Sequence, residues 1–227
     1  MKNARRTRKS VNAQKNPRVA RGSLSAEAIL DAAEGVAAGA PDQLTVRAVA
    51  SALSASPMSL YRYFDTKDEL VEALLDRVLG RYVPVAPTAR WADDLVSFGR
   101  AHRRVLVDHP WAVTAFFNHA SPGVNATRIE EDALAILARG GVTGAAAVAA
   151  FSSVVALNYG WCGFALARRE DGGALEASLA GLPTDQFPLT VSVAQAMADY
   201  GSDDHYEAAL GSLVRGIAAT LAHRDDA

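Results

Sequence analysis

Leu44-Thr45-Val46-Arg47-Ala48-Val49-Ala50-Ser51-Ala52-Leu53-Ser54-Ala55-Ser56-Pro57-Met58-Ser59-Leu60-Tyr61-Arg62-Tyr63-Phe64 is the segment that decides the fold. It predicts two short helices joined by a tight turn. Thr45 caps the first, whose inward residues are Val46, Val49, Ala50 and Leu53; Ser54-Ala55 makes the turn. The second helix, running through Phe64, opens with Ser56 at the N-cap and Pro57 at the first helical position, where a missing N–H costs nothing. Leu60 and Phe64, four residues apart, are expected to face the core. Met58, Ser59, Tyr61, Arg62 and Tyr63 crowd the remaining surface. Small hydroxyls, phenols and a guanidinium suit the base edges and phosphates of a DNA groove better than a protein interior.

Outward from this segment the spacing is helical almost throughout, and strand-like alternation is absent, so an all-α chain is expected. A first helix starts after Ser25 and stops near Gly39-Ala40-Pro41. Thr66-Lys67-Asp68-Glu69 is a capping box in which Thr66 and Glu69 can satisfy each other's free backbone N–H groups. It launches a helix with Leu70, Leu74, Leu75, Val78, Leu79 and Tyr82 on one side. Pro84 and Pro87 open a linker and mark the expected domain boundary. Three parts follow: a basic tail over 1–22, a first domain over 23–83 and a second over 84–227. Within the last, helices are expected at Trp91–Asp108, Trp111–His119, Asn125–Arg139, Thr143–Arg169, Leu189–Tyr200 and Asp203–His223, with a mobile surface loop over 170–188.

Charge is unevenly distributed. Residues 1–22 carry eight cations and no acid, so of the chain's 23 basic and 25 acidic residues the remainder holds 15 cations against 25 acids, a net of −10. A basic arm on an acidic body points to a polyanion at the N-terminal end only, and a solvated, disordered tail is equally compatible. The single cysteine, Cys162, excludes internal disulfides and fits a reducing cytoplasm. No apolar segment backs the N-terminal charges, so no secretory signal is expected. From Gly140 to Ala167 no residue is charged. That length would span a bilayer, but its apolar content is mostly alanine, interrupted by Thr143, Ser152, Ser153, Asn158 and glycines. A helix buried on nearly all sides of a helical protein is the expectation, with no membrane partner.

Residues from about Leu24 to Tyr82 resemble the DNA-binding domain of the tetracycline-repressor (TetR) family of bacterial regulators. Leu44–Ala50 is similar to that family's second helix, Ser56–Phe64 to its recognition helix, and Thr66–Leu70 to the start of its connecting helix. One departure is Ser54, where the family commonly has glycine; a left-handed serine there costs about 1 kcal/mol. His109-Pro110-Trp111 and Tyr206–Ile217 resemble the C-terminal domain of the tetracycline-repressor branch. The resemblance implies an N-terminal three-helix helix-turn-helix domain and a C-terminal helical ligand-binding and dimerisation domain. In that branch the long uncharged helix and the last helix pack against their twofold mates as a four-helix bundle. It also implies a homodimer, a double-stranded operator and a small-molecule effector.

Thr45, Ser56, Met58, Ser59, Tyr61, Arg62, Tyr63 and Lys67 are the candidate DNA contacts. Thr45 and Lys67 sit at helix starts, where backbone N–H groups and the helix dipole favour phosphate, although Thr45 can be a simple cap and Lys67 a solvated charge. In the second domain Phe98, His102, Trp111, Phe116, Phe117, Phe151, Asn158 and Trp161 form a candidate pocket of aromatics with interspersed polar groups, Asn118 and His119 nearby. Aromatics at helical spacing are equally compatible with core, and His102, beside Arg103-Arg104, with a solvent-facing position. The relatives' magnesium-bound tetracycline has a histidine ligand whose comparable place here is near Val105, which cannot ligate. The acidic partner would fall near Ala167 or Arg168. A tetracycline–magnesium inducer is therefore not expected, and no metal or cofactor site is visible. Nucleophile elbows, phosphate-binding glycine loops and catalytic carboxylate pairs are absent, so an enzyme is not expected. A ligand-responsive repressor and a regulator controlled by a protein partner, or acting as an activator, both remain open at this level.

Overall fold

A computed structural model describes residues 24–119, 123–167, 172–199 and 201–222. The basic tail over 1–22 and Arg168 lie outside them. Among the described residues the chain is all helix, without strands. The elements are α1 (Ala26–Gly39), α2 (Val46–Ala52), α3 (Pro57–Leu60), α4 (Lys67–Leu79), α5 (Trp91–Asp108), α6 (Pro110–Asn118), α7 (Val124–Arg139), α8 (Gly144–Ala167), α9 (Gly172–Ala180), α10 (Pro188–Ser192), α11 (Ala194–Ala198) and α12 (Asp203–Ala222).

Three of the helix starts read from sequence are built as side-chain caps. Ser25 Oγ accepts from Ala28 N–H at 3.2 Å, Thr45 Oγ1 from Ala48 N–H at 3.1 Å and Thr66 Oγ1 from Glu69 N–H at 3.0 Å. Each removes one unpaired donor at a helix end. The capping box is shifted, however: Glu69 Oε2 accepts from Asp65 N–H at 2.6 Å rather than from Thr66. Ile29, Leu30, Ala33 and Ala37 of α1, Val49 and Ala50 of α2, Leu60 and Phe64, and Leu70 and Leu74 of α4 close into one core.

α4 has two working sides. Its Leu70 and Leu74 complete that first core, while Val71, Leu75 and Val78 pack with Val105 and Ala112 of α5 and α6. At its C-terminal end Leu79 joins Leu95, Phe98, Ile129, Leu137, Val154 and Leu210 in the core of the second domain. Gly99 lets α5 and α12 approach closely, since a Cβ there would meet Leu210 Cδ1 at 2.9 Å.

Three expectations about the second domain are corrected. Residues 172–180 form α9 rather than a surface loop, packed against α10 and α11. The helix expected over Leu189–Tyr200 is two short helices broken at Val193, whose backbone leaves the helical region at φ −111°, ψ 9°. The long uncharged α8 is not buried on nearly all sides: only 28% of its most apolar window lies inside the chain, although its length and composition alone would cross a membrane. Val148, Ala149, Ser152, Ser153 and Ala156 remain exposed.

Candidate nucleic-acid interface

α3 is shorter than its sequence suggests. The α-helical part ends at Leu60, and Tyr61–Tyr63 continue as a turn in which Tyr63 N–H bonds Leu60 O at 2.9 Å and Phe64 N–H bonds the same carbonyl at 3.1 Å. This three-residue tightening keeps Leu60 and Phe64 inward, at 1% and 8% exposure, and turns the intervening side chains out. The preceding turn needs a left-handed residue, and Ser54 supplies it at φ +52°. Ser56 starts the helix without capping its backbone. Its hydroxyl pairs instead with Ser59 Oγ at 2.8 Å.

Met58, Tyr61, Arg62, Tyr63 and Lys67 are exposed, as are Thr45 and Ser56, and Ser59 is half-buried. The structure thus gathers all eight candidate residues around α3 and the two adjoining helix starts. Among the described residues Arg62, Lys67 and Arg47 make no ion pair, whereas Arg77 is held by Glu27 and Asp31, and Arg81 by Glu34. Free positive charge is left where α3 projects, and the cations behind it are neutralised. Arg47, outward on α2, was not singled out from the sequence because one exposed arginine carries no periodic signal. Tyr63 differs from its neighbours: its hydroxyl donates to Leu24 O, which ties the start of α1 to the end of α3. That proton must be released before Tyr63 can donate to a phosphate.

The eight residues proposed from sequence as an aromatic pocket do not enclose one space. Phe98 is fully buried, edge-on to Tyr82 at 5.9 Å and stacked on His102 at 6.2 Å, with Phe151 tilted against it at 6.4 Å. Phe116 and Phe117 flank Tyr159 at 5.5 and 5.9 Å, and Phe117 is exposed. Trp111 packs against the first core at the seam between the domains. Trp161 Nε1 donates to Gly201 O at 3.0 Å.

His102 does not face water. It is buried, and so is Asn158. Asn158 Nδ2 donates to Gly99 O at 2.9 Å and meets His102 Nδ1 at 2.9 Å, while Tyr206 O–H donates to Asn158 Oδ1 at 2.8 Å. A carbonyl can only accept, so the atom facing Gly99 O is the amide nitrogen, and His102 Nδ1 must accept as well. Burial lowers the His102 pKa to about 4 and raises that of the Tyr206 phenol. Burial likewise pushes Tyr159 up to about 12. These polar groups are spent on one another rather than on a ligand.

Space is found elsewhere. A cavity of about 380 Å³ lies between α5, the start of α6, the end of α8 and the start of α12, with Arg103, Leu106, Pro110, Val113, Cys162 and Leu166 in its wall. None of the eight lines it. Sequence offered no cue here, because the wall is drawn from four separated segments.

Two contacts across the domain seam were also not visible in sequence. Asp76 of α4 caps α7: its Oδ1 accepts from Asn125 N–H at 2.9 Å and from Ala126 N–H at 3.2 Å. Arg81, just beyond α4, meets His109 Nε2 in the α5–α6 turn.

An all-helical chain with an outward α3, a left-handed turn before it and a second helical domain locked onto α4 defines a helix-turn-helix regulator. Comparison with known proteins agrees. A family model described as "Bacterial regulatory proteins, tetR family" matches residues 29–74, and one described as "Tetracyclin repressor-like, C-terminal domain" matches residues 83–221. An HTH-type transcriptional regulator from Saccharopolyspora erythraea is 32% identical over 188 residues, 78% of this chain and 77% of that protein. An HTH-type transcriptional repressor from Mycobacterium tuberculosis is 32% identical over 100 residues, 42% of this chain and 38% of that protein. Among solved structures, the Streptomyces coelicolor TetR family protein ActR in complex with (S)-DNPA superposes with a TM-score of 0.81 at 24% identity, covering 87% of this chain and 98% of ActR. The chain belongs to the TetR family of bacterial transcriptional regulators, which are DNA-binding proteins and not enzymes.

Proposed function

We propose that the protein is a homodimeric, cytoplasmic repressor that binds a palindromic operator and leaves it when a small apolar or amphipathic molecule binds the second domain. The observation that carries the reading is the exposed α3 with its free cations Arg62, Lys67 and Arg47. Two such rods fit successive major grooves if a twofold axis sets them about 34 Å apart. Arg62 is the proposed base reader, Thr45, Lys67 and Tyr61 are phosphate or methyl contacts, and Ser56, Met58, Ser59 and Tyr63 border them.

Support for the twofold comes from α8. Its open face continues onto α12 as a shallow groove of small and apolar residues: Ala149, Ser153, Ser212, Leu213, Gly216 and Ile217. An exposed apolar face of this extent is what a second copy would cover. Support for an effector comes from ActR, also solved in complex with actinorhodin. A second reading, regulation by a protein partner without a small molecule, is favoured by one observation: Phe98, His102 and Asn158 seal the aromatic interior. The cavity beside Arg103 weighs against it.

Sedimentation of the purified protein, followed by titration of fluorescent palindromic and half-site duplexes, tests the proposal. A dimer that prefers the palindrome is expected. A monomer at micromolar concentration, or indifference to every duplex at low salt, would overturn it.

A further inference from the structure

Arg103 occupies an unusual position. Its stem runs along the wall of the cavity, its guanidinium lies 4.2 Å over the Tyr206 ring, and its Nη2 holds Asp203 at 2.6 Å. The side chain is only 16% exposed, and its Nε is buried with no hydrogen-bond partner among the described residues. A buried N–H left unpaired carries an unrecovered desolvation cost. The rest of the wall is largely apolar: Leu106, Pro110, Val113 and Leu166, with the Cys162 thiol held protonated by burial against the opposing pull of the Arg103 charge. Water in such a space meets few polar partners.

We propose that this cavity is a binding site for a small, uncharged, largely apolar molecule carrying a carbonyl-type oxygen, which accepts a hydrogen bond from Arg103 Nε. Neutrality follows from Asp203, which already balances the guanidinium; a second carboxylate would bring an uncompensated charge into a mostly apolar space. The volume is at the lower end of small-molecule sites, about 300–1,000 Å³. The site also has a route to DNA. Pro110 in its wall follows His109, which touches Arg81, and Arg81 pairs with Glu34 of α1. The assignment rests on the reading of the second domain as effector-binding, and specifies where and what it binds.

Benzophenone, a neutral ketone with an apolar body that also photolabels C–H bonds, is a suitable probe, and diphenylmethane is its counterpart without the acceptor. The full-length protein is expected to bind the ketone about tenfold more tightly, the factor that about 1.4 kcal/mol of hydrogen bonding gives. Irradiation should label residues 105–113 and 162–166. Arg103→Met should erase the preference for the ketone. Ala165→Leu, which narrows the cavity without touching charge, should weaken both compounds at least tenfold. Equal binding of ketone and hydrocarbon by the unaltered protein, or label centred on Phe98 and Phe151, overturns the site. Protein that binds a specific duplex but takes up no benzophenone also overturns it, and leaves the DNA-binding reading intact. Labelling at the expected residues with unchanged duplex affinity upholds the site and removes it as the route of release.

Discussion

Acidifying the protein should destabilise it through one buried side chain, His102. Its Nδ1 accepts from Asn158, whose amide is oriented by Gly99 O, and its ring lies between Phe98 and the edge of Tyr159. Protonating Nδ1 would set one N–H against another in an apolar enclosure. The folded histidine therefore titrates near 4 instead of its ordinary 6.5. The sign follows directly. As pH falls below about 6.5 the unfolded chain takes up a proton that the native state refuses until about pH 4, so stability declines across that window and is untouched above it. At about 1.4 kcal/mol per pH unit, the loss over the window is about 3 kcal/mol, a large share of the roughly 5–15 kcal/mol that a domain has. Carboxylates titrate in the same range, so the assay is a difference. Urea unfolding of wild type and His102→Gln is followed from pH 7.5 to 4 at one protein concentration, since a dimer's stability depends on concentration. Glutamine can still accept from Asn158 and cannot titrate. The gap between the two curves should shift in favour of the variant by about 3 kcal/mol on acidification. A gap that stays constant with pH would refute the assigned tautomer and the enclosure.

Arg62→Ala should weaken operator binding by about 1–3 kcal/mol and relax preference at one base pair, measured by titrating single-substitution duplexes; unchanged preference would reduce Arg62 to a backbone contact. Deleting residues 1–22 should lower the slope of log affinity against log salt by about 0.9 for each phosphate that the tail neutralises, and an identical slope would leave the tail's eight cations without a part in binding. Ser54→Gly should raise stability by about 0.5–1 kcal/mol, because glycine holds φ +52° without a Cβ clash. A lower melting temperature would mean that the serine side chain itself supports the turn.

Sequence by itself settled what depends on neighbours three or four positions apart. Ser25, Thr45 and Thr66 each cap the helix that follows within three residues. The apolar stripe of α4 is likewise carried by its own spacing, and Leu60 and Phe64 turn inward together as that spacing implies. Local reading failed where a longer-range partner overrode a weak local signal. Gly172-Gly173 suggested a loop, yet α9 forms and packs on α11. α8 carries no polar stripe to say which side is covered, so only packing against α5, α7 and α12 revealed its open face. The interior of the second domain was decided wholly by tertiary structure. His102, Asn158 and Tyr206 lie on three different helices and satisfy one another only once those helices pack. Arg103 finds Asp203 a hundred residues away. Hydrogen bonds of that kind leave no periodic trace in a chain, because their geometry exists only after the loops between them have closed.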